Sequence, residues 1–274
     1  MTINCKGNLI DLSSPQVMGI LNITPDSFYD GGIYKNEKDI CNHVEKMLNE
    51  GATFIDVGAY SSRPGATHIT EDEELKRSVP VVELITRKFP EAYLSIDTFR
   101  SNVAKTNVDA GACMVNDISA GNMDPDMMRT VAELQVPYIM MHMRGTPQNM
   151  QKNIEYEDIV KEMILYFSEK IAEASHLKIN DLIIDPGFGF GKKLGHNYEI
   201  LKKLELFTML ERPILIGVSR KSMIGKLLNV SADEALNGTT SLHTAALMKG
   251  GNILRVHDVK EAVECIKITT QLQS

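Results

Sequence analysis

Apolar residues recur along the chain in short runs, and between the runs they return every three or four positions. The first pattern is that of a buried strand, and the second that of a helix packed by one face. After a short capping segment at 3–12, the runs are "VMGILNI", "FIDVGAY", "YLSIDTF", "CMVNDIS", "PYIMMHM", "LIIDPGF", "PILIGVS" and "ILRVHDV". Stretches such as "EKDICNHVEKMLNEG" and "DIVKEMILYFSEKIAEASHL" predict amphipathic helices between them, the first stopped by Gly51. Consecutive parallel strands need a long crossover, so this alternation predicts a parallel sheet. Eight strands in 274 residues predict an α/β chain forming one closed (β/α)8 TIM barrel domain over 1–274, capped by the N-terminal segment. An open doubly wound sheet is the alternative.

The strands share an oddity. Asn22, Asp56, Asp97, Asn116, His142 and Asp185 place a polar group in or near the end of the first six. The seventh runs into Ser219, Arg220 and Lys221, and the eighth carries Arg255 and His257. An unpartnered polar group in a core costs roughly 2–7 kcal/mol, so so many are not placed there by chance. In a barrel they gather at the C-terminal mouth, where barrel active sites lie. Taken singly, Asp56, Asp117 and His142 read equally well as structural hydrogen-bonders.

The groups divide by charge. Asp97, Asn116 and Asp185 suit a flat heterocycle with an amino group beside a ring N–H, because a carboxylate accepts two such bonds side by side. Lys221 adds a donor. Arg63, Arg220, Lys221, Arg255 and His257 form a cationic set, and Arg255 and His257 share one strand face. Barrels often bind phosphate at their last two loops, and the arginine fork fits phosphate oxygens. Asn22, on the strand next to the eighth once the barrel closes, suits a magnesium ion on that phosphate. The implied substrate has a heterocyclic end and a phosphate end. Two long loops, "TPDSFYDGGIYKNE" and "SSRPGATHITEDEE", read as lids carrying Phe28, Asp30, Arg63 and Pro64.

Composition narrows the partners. A net charge of −7 argues against broad nucleic-acid binding, and no run is long enough to span a membrane. The first residues lack the pattern of a signal peptide. Four scattered cysteines predict reduced thiols in the cytoplasm rather than disulfides or zinc ligands. "DPGFGFGKK" fits neither phosphate-binding glycine motif, and no serine or cysteine stands in a nucleophile-elbow context. Direct displacement of the phosphate by a second substrate is the simplest chemistry left.

"MGILNITPDSFYDGG", "SSRPGA", "SIDTFR", "NDIS", "MHMRGTP", "DPGFGFGK", "GVSRKSMIG" and "RVHDV" occur in this order. Together they resemble the dihydropteroate synthases, pterin-binding (β/α)8 enzymes of folate biosynthesis, from about Gln16 to the last helix. The resemblance implies a transferase that joins 4-aminobenzoate to (7,8-dihydropterin-6-yl)methyl diphosphate. It implies pterin contacts from Asp97, Asn116, Asp185 and Lys221, and diphosphate contacts from Asn22, Arg255 and His257, with Asn22 on magnesium. It places Ser62, Arg63, Pro64, Phe190, Lys221 and Ser222 near the aminobenzoate, with Phe28 on the covering loop. Among these, Asp97, Asp185, Lys221 and Arg63 are the expected catalytic residues. It further implies a homodimer and a sulfonamide target. The chain departs from the commonest family pattern at Tyr60, where an acidic residue is usual, at Ser62 for threonine, and at Tyr29 for serine. A pterin-binding methyltransferase barrel or a silent pterin-binding paralogue are the alternatives; the first would not need Arg255, His257 and "SSRPGA".

Overall fold

The computed structural model describes residues 1–23, 33–62 (backbone alone at 33–36), 68–150 and 154–273. Phe28, Tyr29, Asp30, Arg63 and Pro64 lie outside them. All eight expected barrel strands form: β3 (Gln16–Asn22), β4 (Phe54–Gly58), β5 (Tyr93–Asp97), β6 (Met114–Asp117), β7 (Tyr138–Met141), β8 (Leu182–Asp185), β9 (Leu215–Ile216) and β10 (Ile253–Val256). Their order is β8-β7-β6-β5-β4-β3-β10-β9, and neighbouring strands in this sheet pair parallel. A parallel bridge from Ile184 to Ile214 joins the two ends. There the Ile184 N–H donates to the Pro213 carbonyl at 2.9 Å. The sheet is therefore a barrel, and the open-sheet alternative falls away.

Helices surround it: α1 (Ile33–Glu50), α2 (Glu71–Lys88), α3 (Ser101–Asp109), α4 (Met127–Leu134), α5 (Ile159–His176), α6 (Leu194–Lys202), α7 (Ser222–Leu228), α8 (Leu236–Leu247) and α9 (Val259–Gln273). Local chemistry sets their ends. Asp158 caps α5 by accepting from the Val160 and Lys161 N–H groups, and Thr70 caps α2 by accepting from Glu73. Gly51, at φ +104°, ends α1 as expected. Both expected lids are shorter than their quoted stretches, because 33–37 and 71–74 are already helical. For 71–74 the cause is visible: four acidic residues fill the first turn of α2, next to the positive end of its dipole.

The capping segment is a hairpin of β1 (Thr2–Cys5) and β2 (Asn8–Asp11). Lys6 and Gly7 turn at φ +53° and +80°, the signs a two-residue type I′ hairpin requires. Its Ile3, Cys5, Ile10 and Leu12 pack against Met18, Phe54, Met114, Ile139, Ile183, Leu215 and Ile253, sealing the N-terminal end of the barrel. The second core layer lies between strands and helices.

Strand parity now explains the polar ends. Side chains two apart share a face, so Met18, Ile20 and Asn22 point inward together on β3, as do Phe54, Asp56 and Gly58 on β4. The inward set on β3 is apolar at the bottom and polar at the top, and on β4 apolar Phe54 lies below Asp56. Asn22, Gly58, Asp97 and Asn116 are register partners across β3, β4, β5 and β6, which puts them in one row at the mouth.

Candidate active site

Gly58 lies in this row between Asn22 and Asp97. A Cβ on Gly58 would lie 3.5 Å from Asn22 Oδ1 and 3.6 Å from Asp97 Oδ2. Across the mouth, Arg255 enters among the carboxylates. Its Nε donates to Asp56 Oδ2 at 2.6 Å and its Nη2 to Asp97 Oδ2 at 2.7 Å. Asn116 Nδ2 donates to the same Asp56 oxygen at 2.9 Å. Burial raises the Asp97 carboxyl to about 7; Arg255 opposes that rise, while the charges of Asp56, Glu74 and Asp117 add to it. Burial works to lower the Arg255 pKa, but Asp56 and Asp97 outweigh it and the guanidinium stays charged.

The other side of the mouth is built by β8, β9 and the glycine-rich turn after β8. Asp185 Oδ1 accepts the Gly187 N–H at 2.7 Å. Burial raises its pKa against the pull of Lys221. Lys221 caps the space between them. Its Nζ donates to the Phe188 carbonyl at 2.5 Å and lies 4.9 Å from the centre of the Phe190 ring. Burial lowers the Lys221 ammonium to about 8, with Asp185 pulling the other way. A Cβ on Gly217 would stand 3.6 Å from Lys221 Nζ and 4.0 Å from Asp185 Oδ2, in ordinary contact with both, so Gly217 lines the same cleft. The result is a slot with Asp97, Asn116 and Asp185 as acceptors, Lys221 as a donor, and an aromatic face at Phe190.

The turn itself is held from below by Lys192, which is buried. Its Nζ donates to three carbonyls, His142 at 3.0 Å, Gly187 at 2.9 Å and Phe190 at 2.9 Å. An ammonium has three N–H bonds, so the cage is complete. Burial lowers this lysine to about 7, opposed by Asp185.

The chain as a whole has close counterparts. The family of pterin binding enzymes matches residues 18–257. The dihydropteroate synthase of Escherichia coli strain K12 is 45% identical over 270 residues, covering 98% of this chain and 95% of the relative. The chain belongs to the dihydropteroate synthase family. The Haemophilus influenzae dihydropteroate synthase is 40% identical, with 98% of each chain covered. Among solved structures, the Yersinia pestis dihydropteroate synthase with a sulfonamide drug superposes at TM-score 0.93 and 43% identity, covering 100% of this chain and 99% of the other. The Xanthomonas albilineans dihydropteroate synthase with 4-aminobenzoic acid does so at 0.92 and 37%, covering 100% and 98%.

For a member of this family, the expected pterin residues Asp97, Asn116, Asp185 and Lys221 do meet at one mouth. Asn22 joins them in the row. Phe190 lies beside Lys221, Ser62 is half-buried after β4, and Ser222 is exposed as the first residue of α7. His257 follows the last residue of β10 and is exposed; its Nδ1 lies 3.0 Å from Ser219 Oγ, and its N–H donates to that oxygen at 3.2 Å. Arg220 departs from expectation. Its backbone is left-handed at φ +54°, which turns the guanidinium onto the Asp258 carboxylate at 2.7 and 2.8 Å. It is a strut between the last two loops rather than part of the cationic pocket. Asp117 is structural, accepting from the Ser119 and Gly121 N–H groups and the Ser119 and Tyr138 hydroxyls. The His142 side chain packs edge-on to Tyr166, 4.9 Å between ring centres, and only its carbonyl serves the site.

Sequence reasoning missed Lys192, whose partners are backbone atoms of two different loops. It also missed the network at Tyr60. That hydroxyl accepts from Gln148 Nε2 at 2.9 Å and lies 3.1 Å from His68 Nδ1. The ring stands edge-on to Phe99 at 5.0 Å, and Arg100 covers it before pairing with buried Glu74.

Proposed function

We propose that this chain joins 4-aminobenzoate to (7,8-dihydropterin-6-yl)methyl diphosphate, giving 7,8-dihydropteroate and diphosphate. One observation carries the reading: the row of Asn22, Asp97 and Asn116, faced by Asp185, Lys221 and Arg255, at the mouth of a barrel with these relatives. Asp97, Asn116 and Asp185 hold the amino and ring N–H groups of the pterin, and Lys221 donates to its ring oxygen or nitrogen. Arg255 Nη1 takes no part in either carboxylate bond and meets a diphosphate oxygen, with His257 beside it.

Magnesium fits this donor set in a limited way. Asn22 offers one hard amide oxygen, and no cluster of three or more His, Cys, Asp or Glu side chains that suits a metal occurs among the described residues. Asn22 would hold such an ion, with substrate and water supplying its remaining ligands. When bound, it neutralises charge on the leaving diphosphate. The chain's own groups do the rest. The carbon–oxygen bond to diphosphate breaks as the aminobenzoate nitrogen bonds to the same carbon, and the amine proton passes to solvent or diphosphate. Asp97 and Asp185 stabilise the positive charge that develops on the pterin. Phe190, Lys221, Ser62 and Ser222 seat the aminobenzoate, with Arg63, Pro64 and Phe28 from the loops. Sulfonamides then compete for that seat.

A homodimer through the α7–α9 side accords with the exposed Leu227, Leu228, Met248, Ile268 and Leu272 there. The decisive assay combines purified protein, magnesium, the pterin diphosphate and 4-aminobenzoate and follows dihydropteroate. Formation that depends on both substrates supports the proposal, and its absence in active-folded protein overturns it.

A further inference from the structure

The expected site residues split into a pterin group and a diphosphate group. One buried side chain touches both. Asp56 lies on β4, inward and fully buried, one inward position below Gly58. A single oxygen, Oδ2, accepts Arg255 Nε at 2.6 Å and Asn116 Nδ2 at 2.9 Å. Its other oxygen has no hydrogen-bond partner. We propose that Asp56 is a positioning residue of the synthase reaction: it fixes the rotamers of Arg255 and Asn116 against one atom and so sets the spacing between the diphosphate and pterin ends of the substrate. This inference rests on the function proposed above.

Geometry carries the argument. Arg255 is the cation on β10 at the mouth, and Asn116 lies on β6, on the other side of the barrel. No hydrogen bond joins them directly among those described. An arginine held only by Asp97 would have one anchoring bond and a free choice of rotamer; the second anchor at Nε removes that choice. The amide of Asn116 is oriented the same way: with Nδ2 committed to Asp56, its oxygen is the atom presented to a ligand N–H. A merely structural account fits poorly. One guanidinium here faces two carboxylates, so Asp56 adds a buried negative charge to a pair that Asp97 and Arg255 could balance alone.

Two variants test this in the full-length protein with magnesium and both substrates. Asp56→Ala removes the shared acceptor and leaves the balanced Asp97–Arg255 pair. It is expected to raise the KM for the pterin diphosphate about tenfold or more, with the aminobenzoate KM within roughly threefold of the parent. Asp56→Asn keeps one oxygen that can accept both bonds, and is expected to restore the pterin KM to within roughly threefold. The Asp97 carboxyl feels the charges of Arg255 on β10, Asp56 on β4, Glu74 on α2 and, through the strand, Asp117 on β6, and it couples to Lys221 after β9. Neutralising Asp56 removes one like charge, so in both variants the acid limb of kcat/KM moves to lower pH, by on the order of half a unit. A pterin KM unchanged in Asp56→Ala overturns the proposal, even if its melting temperature falls. So does equal damage to both substrates, or equal damage by Asn and Ala. If Asp56→Ala does not fold, Asp56→Ser, whose short hydroxyl cannot reach both Arg255 Nε and Asn116 Nδ2, takes its place, and an unchanged pterin KM in it overturns the proposal. A parent protein that makes no dihydropteroate refutes the function itself; an active parent with unmoved variants refutes only this role.

Discussion

Replacing Arg255 by alanine tests the charge balance of the mouth through stability alone. The guanidinium is 19% exposed and pairs with Asp56, 0% exposed, and Asp97, 20% exposed. Removing one partner of a buried ion pair costs about 3–5 kcal/mol, because the remaining charge loses its compensation. Part of that cost is recoverable by protonation. The Asp97 carboxyl titrates at about 7 in the fold, above its ordinary 3.8, with burial as the main cause. An acid with a raised folded pKa gives stability that is fully present below 3.8 and is lost as pH rises through about 7. Arg255 pulls that folded value down, so its loss moves the value further up. Above about pH 7 the parent limits this loss by ionising Asp97 beside Arg255 and the variant, with its higher value, does so less, whereas near pH 5 Asp97 is neutral in both proteins. Urea denaturation of parent and Arg255→Ala is expected to show a loss of about 3–5 kcal/mol at pH 8 that shrinks by on the order of 1 kcal/mol or more at pH 5. An equal loss at both pH values, or one below about 1 kcal/mol at pH 8, refutes the reasoning.

Three further changes probe the supports of the site. Lys192→Met strands three buried carbonyls at about 1–3 kcal/mol each, offset in part by removing a lysine that burial holds near 7; turnover is expected to fall more than pterin affinity by calorimetry, and unchanged turnover rejects the cage as a support of Phe190. Gly187→Ala puts a Cβ 2.3 Å from the His142 carbonyl at φ +66°, so a loss of at least about 2 kcal/mol is expected in thermal melts, and a neutral result would mean the turn can shift. Tyr60→Phe deletes the hydroxyl shared by Gln148 and His68, and a loss of about 1–2 kcal/mol with pterin affinity intact is expected; weakened pterin binding would tie this network directly to the pocket.

The barrel was legible because its strands and helices differ in period, and Gly51 and Asp158 mark helix ends by their own chemistry. Asn22, Asp97, Asn116 and Asp185 were legible because a polar group at the inward end of an apolar strand has few other uses. Parity could have gone further: Asn116 and Asp117 are consecutive on one strand, so only one can face the barrel, and Asp117 faces away into its turn. Arg220 misled because a left-handed backbone residue cannot be read from a run such as "GVSRKS". Lys192 was invisible for another reason. Its partners are carbonyls, which every residue carries, and what brings them together is the fold.

The hairpin at the bottom of the barrel bears on how the chain is made. Its Leu12 carbonyl accepts from Asn252 Nδ2 at 3.1 Å, across 240 positions, and its apolar face rests on strands from β3 to β10. At roughly 5–20 residues per second, the ribosome delivers the last of those strands on the order of 10–50 seconds after the hairpin. For that interval Ile3, Ile10 and Leu12 have no complete surface to cover. The nascent barrel is thus a vessel whose base is cast first and can be fully seated only when its last wall arrives.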